Sequence, residues 1–258
     1  MMNTVERKIK SLRESAAKDR NAFLDSAPAA LSARSPLVRE TAILLIMEHE
    51  AKGVAELVEP LLYDHNDDVR YSAAMCIGLL NEGSGTNFPG LRHLLRDPVA
   101  VIRAQAVESV ALLGDRSALP AVARLLSDKD PIVRSYAAST VGALRGSSYL
   151  KKLRHALTTE KQELARVGLF EALFQLGKRD VLPDMLELLS SSDYHVRCSV
   201  ANSLEVMSLS PSDIHSVLKA LTIAVQKPIA VADKTTTKRV RQRLKALNAR
   251  SRARRKDQ

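Results

Sequence analysis

The sequence predicts an all-α protein, a right-handed solenoid (α-α superhelix) of about six helical hairpins, and three observations lead to it. One motif recurs six times at nearly constant spacing. Each copy sets its apolar residues on a single helical stripe. The apolar content is 45%, yet aromatic residues make up 3% and Trp is absent, so the core is built from Leu, Ala, Val and Ile, which suits closely packed helices better than packed strands.

The copies are SPLVRETAILLI around Arg39, NDDVRYSAAMCIGLL around Arg70, PVAVIRAQAVESVALL around Arg103, DPIVRSYAASTVGAL around Arg134, QELARVGLFEALFQL around Arg166 and DYHVRCSVANSLEVM around Arg197. Their arginines are 31, 33, 31, 32 and 31 residues apart, a period that marks a repeat array. The third, seventh and tenth residues after the arginine are apolar almost throughout, as in Ala106, Val110 and Leu113 or Ala137, Val141 and Leu144. Spacings of four and three put them on one helix face. Upstream of each arginine runs a shorter apolar helix, opened in three copies by Pro89, Pro120 or Pro183, where the missing N–H has no intrahelical partner to lose. Each copy is therefore a hairpin too small to bury its own faces, and stacking completes the core.

Two helices, a turn acid and a Val-Arg-like start to the second helix resemble the HEAT repeat, in its short bacterial HEAT-like form, over residues 19–226. The resemblance implies a ladder of charge-assisted hydrogen bonds along the turns. Its members would be Asp64 with Arg70, Asp97 with Arg103, Asp128 with Arg134 and Glu160 with Arg166, each acid six residues before its arginine. The first and last copies depart from the pattern, with Ala33 and Ser191 at the acid position.

Residues 1–18 carry Val5, Ile9, Leu12 and Ala16 at helical spacing and read as a capping helix. Ser210-Pro211-Ser212-Asp213 reads as the start of a further helix, and 227–258 as a basic tail, helical or disordered. The formal charge of +10 sits in that tail: residues 234–258 hold 11 of the 39 Lys and Arg and one of the 29 acids, leaving 28 of each in residues 1–233. No apolar run is long enough for a secretion signal or a membrane span, so a soluble cytoplasmic protein is expected. Cys76 and Cys198 form neither a disulfide framework nor a metal spacing.

No catalytic site and no cofactor are expected. The six histidines are not paired at helical spacing, so a metal site is not expected. Di-iron hydroxylases built on HEAT-like repeats use several His-Glu pairs, and this chain has only His49-Glu50. NEGSGTNFPG, residues 81–90, lacks the lysine of a phosphate loop. HEAT-like DNA glycosylases resemble one another in using Trp and other aromatics against the DNA, and a chain without Trp and with a neutral body fits them poorly; no residue distinguishes a bilin lyase. The chain is therefore expected not to be an enzyme, with a HEAT-like lyase or DNA glycosylase as third reading.

The first reading is a binding scaffold, adaptor or inhibitor, a bacterial toxin-neutralising protein being one version. Positions one, two and five residues after each arginine would line a groove made by the second helices. They include Glu40, Tyr71, Met75, Gln105, Glu108, Tyr136, Ser139, Glu171 and Asn202; ordinary surface or packing against the next repeat is the alternative for each taken singly. Tyr71, Met75 and Tyr136 would anchor a protein or peptide partner. The second reading is nucleic-acid association through the tail, whose Lys238, Arg239, Arg241, Arg243, Lys245, Arg250, Arg252, Arg254 and Arg255 surround Val240, Leu244 and Leu247. That pattern is a basic amphipathic segment able to fold on a polyanion, without aromatics for base stacking.

Overall fold

The computed structural model describes residues 3–50, 53, 55–226 and 235–246, which form helices and connections with no strand among them. The fold is an all-α solenoid of hairpins, divided into two compact units, Met1–Leu125 and Leu126–Gln258.

In the first unit, α1 (Thr4–Lys18) starts at a capping box: the Asn3 side chain accepts from the Glu6 N–H while the Glu6 carboxylate accepts from the Asn3 N–H, which satisfies N–H groups the helix leaves without partners. Its apolar stripe faces α2 (Arg20–Leu31) and α3 (Pro36–Glu48). Next come α4 (Ala55–Val58), α5 (Asp67–Leu80), α6 (Pro89–Leu94) and α7 (Ala100–Leu113). The second helices α3, α5 and α7 pack in sequence, each on its own first helix and on its neighbour. The loop at 81–90 is pinned to the end of α7, the Gly83 and Gly85 N–H groups donating to the Leu112 and Leu113 carbonyls at 2.8 and 2.7 Å.

The first unit ends after α8 (Leu119–Val122); the second holds α9 (Pro131–Ala143), α10 (Leu150–Thr159), α11 (Glu163–Gln175), α12 (Leu182–Glu187), α13 (Tyr194–Val206) and α14 (Pro211–Gln226). Here α9, α11 and α13 are the packed second helices. Proline opens α6, α9 and α14 and stands second in α8 and α12. Ser210 caps α14, its hydroxyl accepting from the Asp213 N–H.

The repeated stripe is the core. Ala73, Ile77, Ala106, Val110, Leu113, Ala137 and Val141 are essentially without solvent contact. Helices approach closely where side chains are smallest. A Cβ on Gly142 would lie 2.6 Å from Ala172 Cα, and one on Gly168 only 2.2 Å from the Ser135 carbonyl oxygen, so glycine permits the packing of α9 on α11.

Within 227–258, residues 235–246 form a further helix, α15, with Val240 and Leu244 buried. Leu247, Arg250, Arg252, Arg254 and Arg255 lie outside the described residues.

Candidate functional site

The turns between paired helices carry a regular electrostatic joint. Arg39 donates from Nε and a terminal nitrogen to Asp64 at 2.7 and 2.7 Å, Arg70 to Asp97 at 2.8 and 3.2 Å, and Arg134 to Glu160 at 2.6 and 2.9 Å. Each arginine thus reaches the acid of the following turn. Toward the position six residues before it, it donates to a backbone carbonyl instead: Ala33, Asp64, Asp97 and Asp128 for Arg39, Arg70, Arg103 and Arg134. The pairing drawn from sequence, acid and arginine within one copy, is corrected to one staggered by a copy. The physical reason is reach: the guanidinium spans the gap between turns, and the near acid is already turned toward its own backbone, accepting from the N–H two residues on.

These pairs are screened from water, which sets the carboxylates. Burial pushes Asp64 and Glu160 up, but hydrogen bonds from Arg39 and Arg134, turn N–H groups and the arginine charges outweigh it, and both ionise below their ordinary range.

The outward stripe of the second helices differs from copy to copy. In the first unit it presents Leu44 and Leu79, exposed to 43% and 48%, with Leu37 and Val101 exposed at their helix starts. Tyr71 and Met75 are half-buried there, and Glu40 is half-buried on α3, its carboxyl held up by burial and then by the Asp68 charge. Gln105 does not belong to this surface: it is buried, its amide 3.4 Å from Ser109 Oγ. The Ser109 hydroxyl in turn donates to the Ala74 carbonyl of α5 at 2.8 Å, so the Gln105 side chain lies along α7 against that contact rather than outward. Glu108 is half-buried above it, its carboxyl raised by burial against the hydrogen bond from Gln105.

In the second unit the stripe carries Ile132, Tyr136 and Val206, exposed to 45%, 39% and 66%, around a polar centre. Glu171 on α11 accepts from Ser139 of α9 at 3.2 Å, from Ser203 of α13 at 2.6 Å and from Gln175 at 3.0 Å. Three successive second helices thus converge on one carboxyl with neutral donors only. Burial holds Glu171 above the usual carboxylate range, the three hydrogen bonds opposing it.

Asn202 on α13 is met by α15. Arg239 donates to Asn202 Oδ1 at 2.9 Å and to Glu205 at 3.2 Å, and Arg243 donates to Glu205 at 2.9 Å. With Val240 and Leu244 buried, α15 covers this end of α13. Lys238 and Lys245 are exposed and Arg241 is half-buried.

Two clefts add concavity. One of about 420 Å³ lies between α1 and α3, walled by Ala16, Ala17, Leu44 and Leu45 under Arg13, Glu48 and His49. Another of about 480 Å³ lies in the second unit beside Lys152, His155, Thr159 and Lys161. Cys76 is buried and its thiol pushed up to about 12 by desolvation. Among the described residues no His, Cys, Asp and Glu group could hold a metal ion, and no helix is long and apolar enough to cross a membrane.

Counting one, two and five residues after the arginine missed part of the outward stripe. Leu37, Val101 and Ile132 stand two residues before it, and Leu79 and Val206 nine after it. Extending the helical period in both directions would have found them. Glu205 gave no signal, because its role depends on α15.

The search of curated proteins gave no match. Among solved structures, the complex of CpcE and CpcF of phycocyanin lyase from Nostoc sp. PCC7120 is similar at 17% identity and TM-score 0.64, covering 84% of this chain and 93% of that one. Human deoxyhypusine hydroxylase is similar at 15% identity and TM-score 0.44, covering 92% and 99%. The expectation that the chain is not an enzyme is corrected here: a hairpin stack of the same fold belongs to a lyase, so the lack of a catalytic motif does not separate a binding protein from an enzyme subunit. The model of HEAT repeats matches residues 24–111 and 88–173. These matches span more than half of the sequence, and the chain belongs to the HEAT-repeat family.

Proposed function

We propose that the chain is a protein-binding scaffold or adaptor subunit that takes a protein or peptide partner on the outward stripe of its second helices. One observation carries the reading. On helices whose repeated positions are buried, the positions that vary present apolar side chains to solvent: Leu44 and Leu79 in one unit, Ile132, Tyr136 and Val206 in the other. Exposed apolar groups at regularly spaced sites suit burial against a partner. The complex of CpcE and CpcF is a precedent for a protein of this fold working in an assembly.

The polyanion reading of the basic segment has less support, because Arg239 and Arg243 are committed to Glu205 and Asn202. Affinity capture from the native cell tests the proposal. Leu44→Glu with Leu79→Glu in one variant, and Tyr136→Ala with Val206→Glu in another, should lose the captured protein while the melting curve stays close to that of the parent. Capture that is unaltered in both variants would sink it.

A further inference from the structure

The joint between α11 and α13 breaks the rule that the other joints follow. Arg39, Arg70 and Arg134 each aim Nε at the carboxylate of the next turn, at 2.7, 2.8 and 2.6 Å. In Arg166 that same atom, Nε, is buried without a hydrogen-bond partner, and its guanidinium lies over the Phe170 ring at 5.4 Å. The cause is in the sequence: the next turn offers Ser191 where the others offer Asp64, Asp97 or Glu160.

Ser191 otherwise occupies the acid's place in the turn. Its Oγ accepts from the Asp193 N–H at 3.1 Å, as the carboxylates of Asp64, Asp97, Asp128 and Glu160 accept from the N–H two residues on at 2.9 Å. Its carbonyl accepts from Arg197 at 2.5 Å, the bond that the marker arginines of other copies make to the same position. The site is thus complete except for an anion. Ser190, Ser192 and Asp193 beside it are exposed, and Ser191 itself is half-exposed.

We infer that Ser191 is a phosphorylation site whose phosphoryl group takes the missing carboxylate's place against Arg166. The lengths agree: a phosphoserine oxygen stands as many bonds beyond Cβ as a glutamate oxygen, and Glu160 makes the bidentate joint with Arg134. A phosphomonoester carries a charge of about −1.5 to −2 at neutral pH and is a strong acceptor for guanidinium. In the reaction Ser191 Oγ attacks the γ-phosphorus of a nucleoside triphosphate held by a protein kinase. The Oγ–P bond forms, the bond from that phosphorus to the β-phosphate oxygen breaks, the nucleoside diphosphate leaves, and the hydroxyl proton passes to a base of the kinase. Glu163 now accepts from the Ser191 hydroxyl at 2.5 Å. That hydrogen bond is lost on esterification, and Glu163, which is exposed, turns to water.

The test compares the full chain carrying genetically encoded phosphoserine at 191 with the unmodified chain, each with Arg166 and with Arg166→Gln. The Arg166 side chain makes no hydrogen bond or ion pair among the described residues, so that substitution is expected to leave the fold intact; Ser191→Glu supplies a second, unphosphorylated anion. Phosphorus NMR should show the second ionisation at a pH below the value near 6 of a free phosphoserine, returning toward it with Arg166→Gln. The melting midpoint should rise by about 2–4 °C on phosphorylation with Arg166 present, less with Ser191→Glu, and not at all with Arg166→Gln. An ionisation and a melting shift that are the same with and without Arg166 would overturn the inference.

Discussion

Two successive joints in the second unit, α9 to α11 and α11 to α13, are built from the same parts with opposite results. In the first, Arg134 holds Glu160 through two hydrogen bonds in a largely buried pair. In the second, Arg166 has the corresponding place in its helix and no carboxylate to meet, leaving a buried Nε–H unsatisfied. One residue, Glu160 against Ser191, separates a satisfied joint from an open one. A repeat array therefore distributes stability unevenly even where its helices look alike, because each interface contributes its own term.

The largest effect should come from breaking the satisfied joint. Glu160→Ala leaves the Arg134 guanidinium largely buried without its carboxylate, a loss of about 3 kcal/mol, whereas Arg166→Ala removes an unsatisfied group and should change stability by less than about 1 kcal/mol. Chemical denaturation of the two variants checks this; equal losses would erase the distinction between the joints. The close helix contact comes next. Gly168→Ala puts a methyl group against the Ser135 carbonyl oxygen and should cost about 1–3 kcal/mol, although alanine ordinarily favours a helix over glycine.

A third contrast lies between the carboxyls of the turns and Glu171. Asp64 and Glu160 ionise below their ordinary values of 3.8 and 4.5, so the stability they contribute is present above those values and is lost as pH falls through the lowered folded-state ionisation. Glu171 is raised above 4.5, so its contribution has the opposite sign: it is present below 4.5 and lost as pH rises through the raised value. Glu171→Gln should therefore flatten the fall in melting temperature above pH 4.5, whereas Glu160→Gln should flatten the loss below it. Melting curves across pH 3 to 8 separate the two, and a Glu171→Gln profile parallel to the parent's would remove the carboxyl from that role.

The smallest effect is expected at the end of the array. Glu205→Gln weakens the contacts that two exposed arginines of α15 make to α13 and should cost about 0.5–1 kcal/mol, less in high salt. Hydrogen exchange at residues 235–246 should quicken while α9 and α11 keep their protection. Unchanged exchange there would mean that Val240 and Leu244 hold α15 without the charges.

Much of this was legible in the chain. The period and the stripe of Ala106, Val110 and Leu113 identified the helices and the core, because burial on a helix follows 3.6-residue geometry that the sequence displays directly. The stagger of the joints was not, since an acid six residues before an arginine and another some 26 after it satisfy the same pattern, and only the path of the side chain decides. Gln105 is not on the outward surface because its amide folds along α7 toward Ser109, one turn on, a side-chain path that the residue count does not show. The convergence of Ser139, Glu171 and Ser203 and the capture of Arg239 and Arg243 by Glu205 depend on helices meeting in space. The amphipathic pattern around Val240 and Leu244 showed that residues 235–246 could form a helix, but not what it would cover.

In the proposed function the repeated positions make the scaffold and the departures on its outward stripe choose a partner. The most direct test of that function is the dissociation constant of the captured partner for the parent, for Tyr136→Ala with Val206→Glu, and for Ser191→Glu. The stripe variant should weaken binding at least tenfold at an unchanged melting temperature, and Ser191→Glu should raise the melting temperature at unchanged affinity. Equal affinities for the parent and the stripe variant would contradict the account.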